Sequence, residues 1–171
     1  MATGAVQPLN PFLWLALPAA ACMGGAVVLA APLDFWGLPL PEPVFGLVPA
    51  FAWAFIRPSI LAPFALVVVG LFQDLLWGNM LGLWPLALLT AYALTTLARP
   101  ALVGQSFWTL WAWYLGVISA AFSLAAGLIW ISSGAPPNLW SLGLQWAASA
   151  LLFVLAWRLI DAFEDADVRF R

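Results

Sequence analysis

Residues 58 to 73 carry no charge, and the run closes on a single carboxylate, Asp74. Gly70, Asp74 and Gly78 follow one another four apart, with Gln73 alongside. On a helix that spacing gathers them on one face, small and polar in an otherwise apolar chain. An ionisable side chain inside an apolar span is expensive and marks a functional-site candidate. Three kinds of chemistry are open to it: satisfying a turn, contacting a ligand or partner helix, or relaying protons or ions. Relay requires a chain of titratable groups, and Asp74 stands alone. A carboxylate in the last turn of its own helix meets the negative end of the macrodipole, so that dipole does not hold it. The expected hydrogen-bond donors are the turn at Gly78-Asn79, a neighbouring helix or a partner.

The residue inventory removes most soluble-style catalysis. The chain has no histidine and one cysteine, Cys22, and all five of its basic residues are arginines. Zinc sites of the His/Cys kind and Cys-His or Ser-His nucleophile pairs are therefore absent, as is a Gly-x-x-x-x-Gly-Lys phosphate loop. One cysteine also excludes an intrachain disulfide, and Cys22 reads as a small buried side chain. No cofactor and no metal are expected, and five arginines at a net charge of −2 argue against a nucleic-acid surface. The carboxylates Glu164, Asp165 and Asp167 cluster in the tail. There Asp165 with Arg169 and Asp167 with Arg171 sit four apart, as a solvated charge run would.

The elements that would position Asp74 are apolar helices. Some 65% of residues are hydrophobic, 7% are charged, and charge is missing from residues 1–33, 75–98 and 100–157 as well. A helix of about 20 apolar residues crosses a bilayer, so the composition predicts an all-α integral membrane protein folded as one compact bundle. Helices are expected near 11–31, 58–76, 80–98, 107–131 and 139–160, with a shorter run at 44–56 and a short tail from 161. That run is about two turns short: 13 helical residues reach roughly 20 Å against a slab of roughly 30 Å, which leaves six crossings or five. With six, Arg57, Arg99, Arg158, Arg169 and Arg171 share one side and Asp34 and Glu42 the other, which puts both termini in the cytoplasm. The first helix lacks a basic n-region and reads as retained rather than as a cleaved signal.

Twelve tryptophans read as interfacial belts. Trp14, Trp53, Trp108, Trp111, Trp113 and Trp157 fall toward the inner face, and Trp36, Trp77, Trp84, Trp130, Trp140 and Trp146 toward the outer. Small residues recur every four positions at Ala16, Ala20 and Gly24 and at Ser119, Ser123 and Gly127. Such seams let helix backbones approach closely, and packing inside the bundle is favoured over contact with another protein.

The stretch Arg57-Pro58, Gly70-Leu71, Gln73-Asp74-Leu75, Gly78-Asn79 and Leu81-Gly82 resembles the signature of the rod shape-determining MreD family, and chain length and helix count are similar to that family too. The Pro-rich first loop (Pro32, Pro39, Pro41, Pro43) and the tryptophan load depart from its pattern. The resemblance implies a non-enzymatic subunit of the bacterial inner membrane that binds MreC. It would work with MreB, RodZ, RodA and the RodA-partner transpeptidase to organise peptidoglycan synthesis and rod shape. It also implies a fold similar to the substrate-binding S components of energy-coupling-factor vitamin transporters, which supplies the alternative function. On that alternative Gln73, Asp74, Asn79 and Gln145 would face a ligand. On the scaffold reading Gly70, Asp74, Gly78 and Gly82 would shape a surface for a partner's helix, and a homodimer remains open.

Overall fold

The computed structural model describes residues 11–30, 34, 35, 38, 39, 42–158 and 160. Trp36, Pro32, Pro41 and the acidic tail lie outside them. The described chain is helical apart from a two-residue antiparallel pairing of Asp34–Phe35 with Leu38–Pro39. Its helices are α1 (Pro11–Ala30), α2 (Leu47–Ile56), α3 (Leu61–Trp77), α4 (Leu83–Leu102), α5 (Phe107–Ser133) and α6 (Leu139–Leu151). Two helical stretches, Phe107–Ser133 and Leu139–Arg158, are long and apolar enough to cross a membrane.

Local sequence explains where the helices stop. A proline disfavours helical backbone in the residue before it, and Arg57, preceding Pro58, lies at φ −150° and ends α2. Residues Gly78 and Gly82, at φ 64° and 100°, bracket the turn between α3 and α4, a conformation that costs other residues roughly 1–2 kcal/mol. Asn138 caps α6: its Oδ1 accepts from the backbone N–H of Trp140 at 3.0 Å.

The core is organised around α2. Every residue from Leu47 to Phe55 is buried, as an all-round apolar helix requires. The helix starts later than the expected run at 44, because residues 42–44 are not helical and Phe45-Gly46 form a turn. The Phe51 ring meets Tyr114 edge-on at 5.2 Å and Phe153 at 6.3 Å. At the entry to α2, Gly46 lies against Leu88 and Gln73. At its exit the Arg99 guanidinium donates to the carbonyls of Phe55 and Ile56 at 2.7 and 3.0 Å. The short helix thus runs beside α4 from the level of Leu88 to that of Arg99, about 16 Å at 1.5 Å per residue.

Three expectations change. The small-residue seams are mostly outside the packing: Ala16, Ala20, Gly24 and Ser123 are exposed, and nothing lies within 4 Å of a Cβ built at Gly24 or Gly127, whereas Ser119, also exposed, accepts the Trp146 indole N–H at 3.1 Å and joins α5 to α6. The inward faces are instead Leu15, Ala19, Cys22 and Ala26 on α1 and Leu110, Tyr114, Ile118 and Phe122 on α5, which supply the volume a core needs. Trp53 and Trp84 are core residues, 0% and 3% exposed, and do not belong to a surface belt. The sixth helix is also not continuous over 139–160. It breaks at Leu152, whose N–H bonds the Ser149 carbonyl three residues back at 3.2 Å, and residues 153–158 resume the helix. That carbonyl also accepts the Tyr114 hydroxyl at 3.0 Å.

Candidate functional site

The signature residues converge on the joint between α3 and α4. As α3 ends, the Asp74 backbone carbonyl accepts the N–H groups of Gly78 and Asn79, the latter at 2.9 Å. The Asp74 side chain reaches past the turn to the start of the next helix. Its Oδ2 accepts the Gly82 N–H at 2.7 Å and its Oδ1 the Trp84 N–H at 3.1 Å. One residue therefore closes the C-terminus of α3 with its main chain and caps the N-terminus of α4 with its carboxylate. The N-terminal end of a helix attracts negative charge, so the stabilising dipole is that of the following helix, α4, not of α3. Sequence reasoning had only the latter in view.

Gly70 and Pro85 bring the two helices together one turn further along. A Cβ at Gly70 would lie 2.5 Å from the Pro85 backbone nitrogen, so α3 and α4 touch backbone to backbone there. Asp74 is 0% exposed, and Gly70 is buried as well. The expected docking surface for a partner's helix therefore excludes these two, whose polar and small faces are consumed by their own hairpin. Gly78 is exposed, Gly82 and Asn79 half-buried, and Arg57 and Pro58 exposed at the opposite end of α3.

Gln73 is 1% exposed, and neither atom of its amide has a hydrogen-bond partner among the described residues. It borders Gly46, not the space around Asn79 and Gln145. Those two do come together, on a cleft of about 180 Å³ that Glu42, Trp77 and Trp84 also line. Gln73 and Asp74 do not reach it, so the four polar residues expected on one ligand divide into two pairs. Burial raises the Glu42 carboxyl above its ordinary value of 4.5.

Three hydrogen-bonding residues escaped the sequence reading. Ser149, fully buried, donates its hydroxyl to Gln145 O at 2.8 Å and accepts Val44 N–H at 2.9 Å, tying the entry of α2 to α6. Tyr114 fixes the same residue through its carbonyl. Tyr92 accepts the Ser59 N–H at 3.0 Å and donates to the Ser59 carbonyl at 3.1 Å, pinning α4 to the start of α3. The available signal was scarcity: two tyrosines beside twelve phenylalanines and twelve tryptophans mark places where a hydroxyl is needed.

Compared with protein-family models, with curated proteins and with solved structures, the chain shows no match.

Proposed function

We propose that this protein is a multi-pass inner-membrane scaffold of the MreD kind, without catalytic activity, that binds an MreC-type partner within the machinery of cell elongation. The observation that carries the reading is the α3–α4 joint. Gly70, Asp74, Gly78 and Gly82, on which the resemblance rests, act together as one structural device, with a carboxylate spanning two helix ends.

The arrangement of charges supports a membrane topology with the arginines on the cytoplasmic side. Arg57 and Arg99 flank the exit of α2, and Arg158 follows Trp157, whose ring lies 5.1 Å from that of Phe107 at the start of α5. Those three arginines therefore gather at one end of the bundle. Glu42 and the α3–α4 turn lie at the other, where both border the same cleft. Six crossings fit this arrangement, with α2 shielded from lipid by its neighbours where its length falls short.

With Asp74 and Gly70 enclosed, partner contact falls to surfaces that remain open. The faces bearing Ser123 and Trp113 on α5 and Ala16 and Ala20 on α1 are exposed, and small residues there allow close approach of a transmembrane helix, from MreC or a second copy. The test is purification from native membranes in mild detergent. Recovery of an MreC-type protein, together with loss of rod shape on deleting the gene, is the expected result. An eluate without such a partner, from cells that keep their shape after deletion, refutes the reading.

The vitamin-transporter alternative draws on the cleft at Asn79 and Gln145. Its 180 Å³ falls below the roughly 300 Å³ at which ligand pockets for drug-sized molecules begin, and so favours the scaffold.

A further inference from the structure

The cleft between the α3–α4 turn, the C-terminal part of α5 and the start of α6 is used by no part of the scaffold reading. The entry to α2 at Gly46 lies against Leu88, five residues into α4 from its start at Leu83. Apolar side chains of α5 and α6, Ala125, Ile129 and Leu142, form one wall. The polar residues bordering it are Glu42, Asn79 and Gln145, and the side chain of none of them makes a hydrogen bond among the described residues. Trp77 and Trp84 border it too, their rings edge-on at 5.8 Å, and the indole N–H of each is buried without a partner among the described residues. Those two N–H groups are closed off from the cleft itself, so the groups free to meet a ligand in it are the three unengaged polar side chains.

The inventory of these groups selects the ligand's chemistry. The two amide NH₂ groups of Asn79 and Gln145 offer donors, which call for acceptors in the ligand. Glu42 and the two amide oxygens offer acceptors, which call for donors. An ammonium has only donors and a ketone only acceptors, whereas a hydroxyl supplies both. Among the described residues no basic side chain lines the cleft, so an anion would meet Glu42 without a countercharge. Indole faces pack well against the C–H face of a saturated ring. The volume equals about six waters at roughly 30 Å³ each, the scale of a single ring.

We propose that this cleft binds a small uncharged molecule bearing several hydroxyl groups, on the scale of one sugar ring, free or as the head of a lipid. Asn79, Gln145 and Glu42 hold the hydroxyls, and the indoles of Trp77 and Trp84 flank the ring.

The test uses the full chain in lipid nanodiscs, with methyl β-glucoside, methyl β-galactoside and myo-inositol as free probes and octyl β-glucoside as the head-group probe. Binding is read by saturation-transfer NMR and calorimetric titration. Saturable binding of at least one probe is expected, weakened about 3–10-fold by Gln145→Leu and by Glu42→Ala, as loss of a hydrogen bond predicts. Thr90→Val, whose hydroxyl bonds only its own helix at Leu86 O, leaves binding unchanged. Binding of a free probe identifies a soluble ligand, and binding of octyl β-glucoside alone identifies a lipid head group. Failure of all four probes to saturate overturns the proposal. So does binding that Gln145→Leu and Glu42→Ala both leave intact while the variants melt like the parent. Neither outcome bears on recovery of an MreC-type partner.

Discussion

Replacing Asp74 by alanine takes the acceptor away from two backbone donors at once. The Trp84 N–H lies in a fully buried bond and the Gly82 N–H in a partly buried one. An orphaned buried donor costs about 1–3 kcal/mol, so the full range for Trp84 and the lower part for Gly82 give about 2–4 kcal/mol. Loss of the negative charge at the start of α4 adds about 0.3–1 kcal/mol. Asp74→Ala is therefore expected to destabilise the protein by about 2–5 kcal/mol, among the larger effects of a single substitution. Asp74→Asn keeps one acceptor oxygen but turns an NH₂ toward the other N–H, and should cost less, about 1–3 kcal/mol. Equilibrium unfolding by SDS in mixed micelles measures both, with co-purification of the partner scored on the same preparations. The order expected is parent, Asn, Ala, with partner recovery falling in step with stability. If Asp74→Ala stays within about 0.5 kcal/mol of the parent, the capping argument is refuted. If Asp74→Asn is as stable as the parent yet loses the partner, the carboxylate's role is recognition, not architecture.

Gly70→Ala places its Cβ 2.5 Å from the Pro85 backbone nitrogen, where no flexible side chain can yield, and should cost about 1–3 kcal/mol by the same unfolding assay. At Gly24, where a Cβ meets nothing, alanine should be neutral or slightly stabilising, since it also favours helix by up to about 1 kcal/mol. Arg99→Met leaves the carbonyls of Phe55 and Ile56 without their cationic donor and should lower stability by about 1.5–3 kcal/mol, whereas exposed Arg57→Met should change it little. Burial raises the Glu42 pKa above 4.5, so the fold favours the protonated acid. Stability is then greatest below 4.5 and falls as pH rises through the raised pKa; a pH series of melting temperatures should show that slope in the parent and a flatter one in Glu42→Gln.

The helices were legible because their signals are local. Runs of apolar residues between Pro58, Gly78, Gly134 and Asn138 place the boundaries of α3 and α5 and the start of α6 within a few residues of the structure, while the break at Leu152 left no such signal. What escaped the sequence depends on who faces whom. The four-residue interval at Ala16, Ala20 and Gly24 shows that these share a face, but only the volume demand of the core decides that Leu15, Ala19 and Cys22 turn inward instead. Interior and exterior are equally apolar in such a chain, so hydrophobicity does not orient a helix as it does in water-exposed folds. Trp53 and Trp84 were read as surface anchors for the same reason. The role of Asp74 was half visible. Its position beside a tight turn pointed to hydrogen-bonded structure, but the donors belong to a helix that begins eight residues later, and the sequence alone does not say how that helix folds back. Ser149 was invisible, because its partners Val44 and Tyr114 lie 105 and 35 residues away.

The enclosure of α2 sets an order of assembly. Its residues leave the ribosome early, yet everything that covers it comes later: Leu88 and Arg99, then Tyr114, then Ser149 and Phe153. A nascent chain that has reached only residue 80 holds a ten-residue helix with no cover from α4, α5 or α6 and with its last carbonyls unbonded by Arg99. The centre of this molecule is thus synthesised early and completed last, and the step that completes it belongs to the final third of the chain. Mutations near Ser149 and Phe153 should therefore act on maturation, exposing to quality-control proteases a core that was made about a hundred residues earlier.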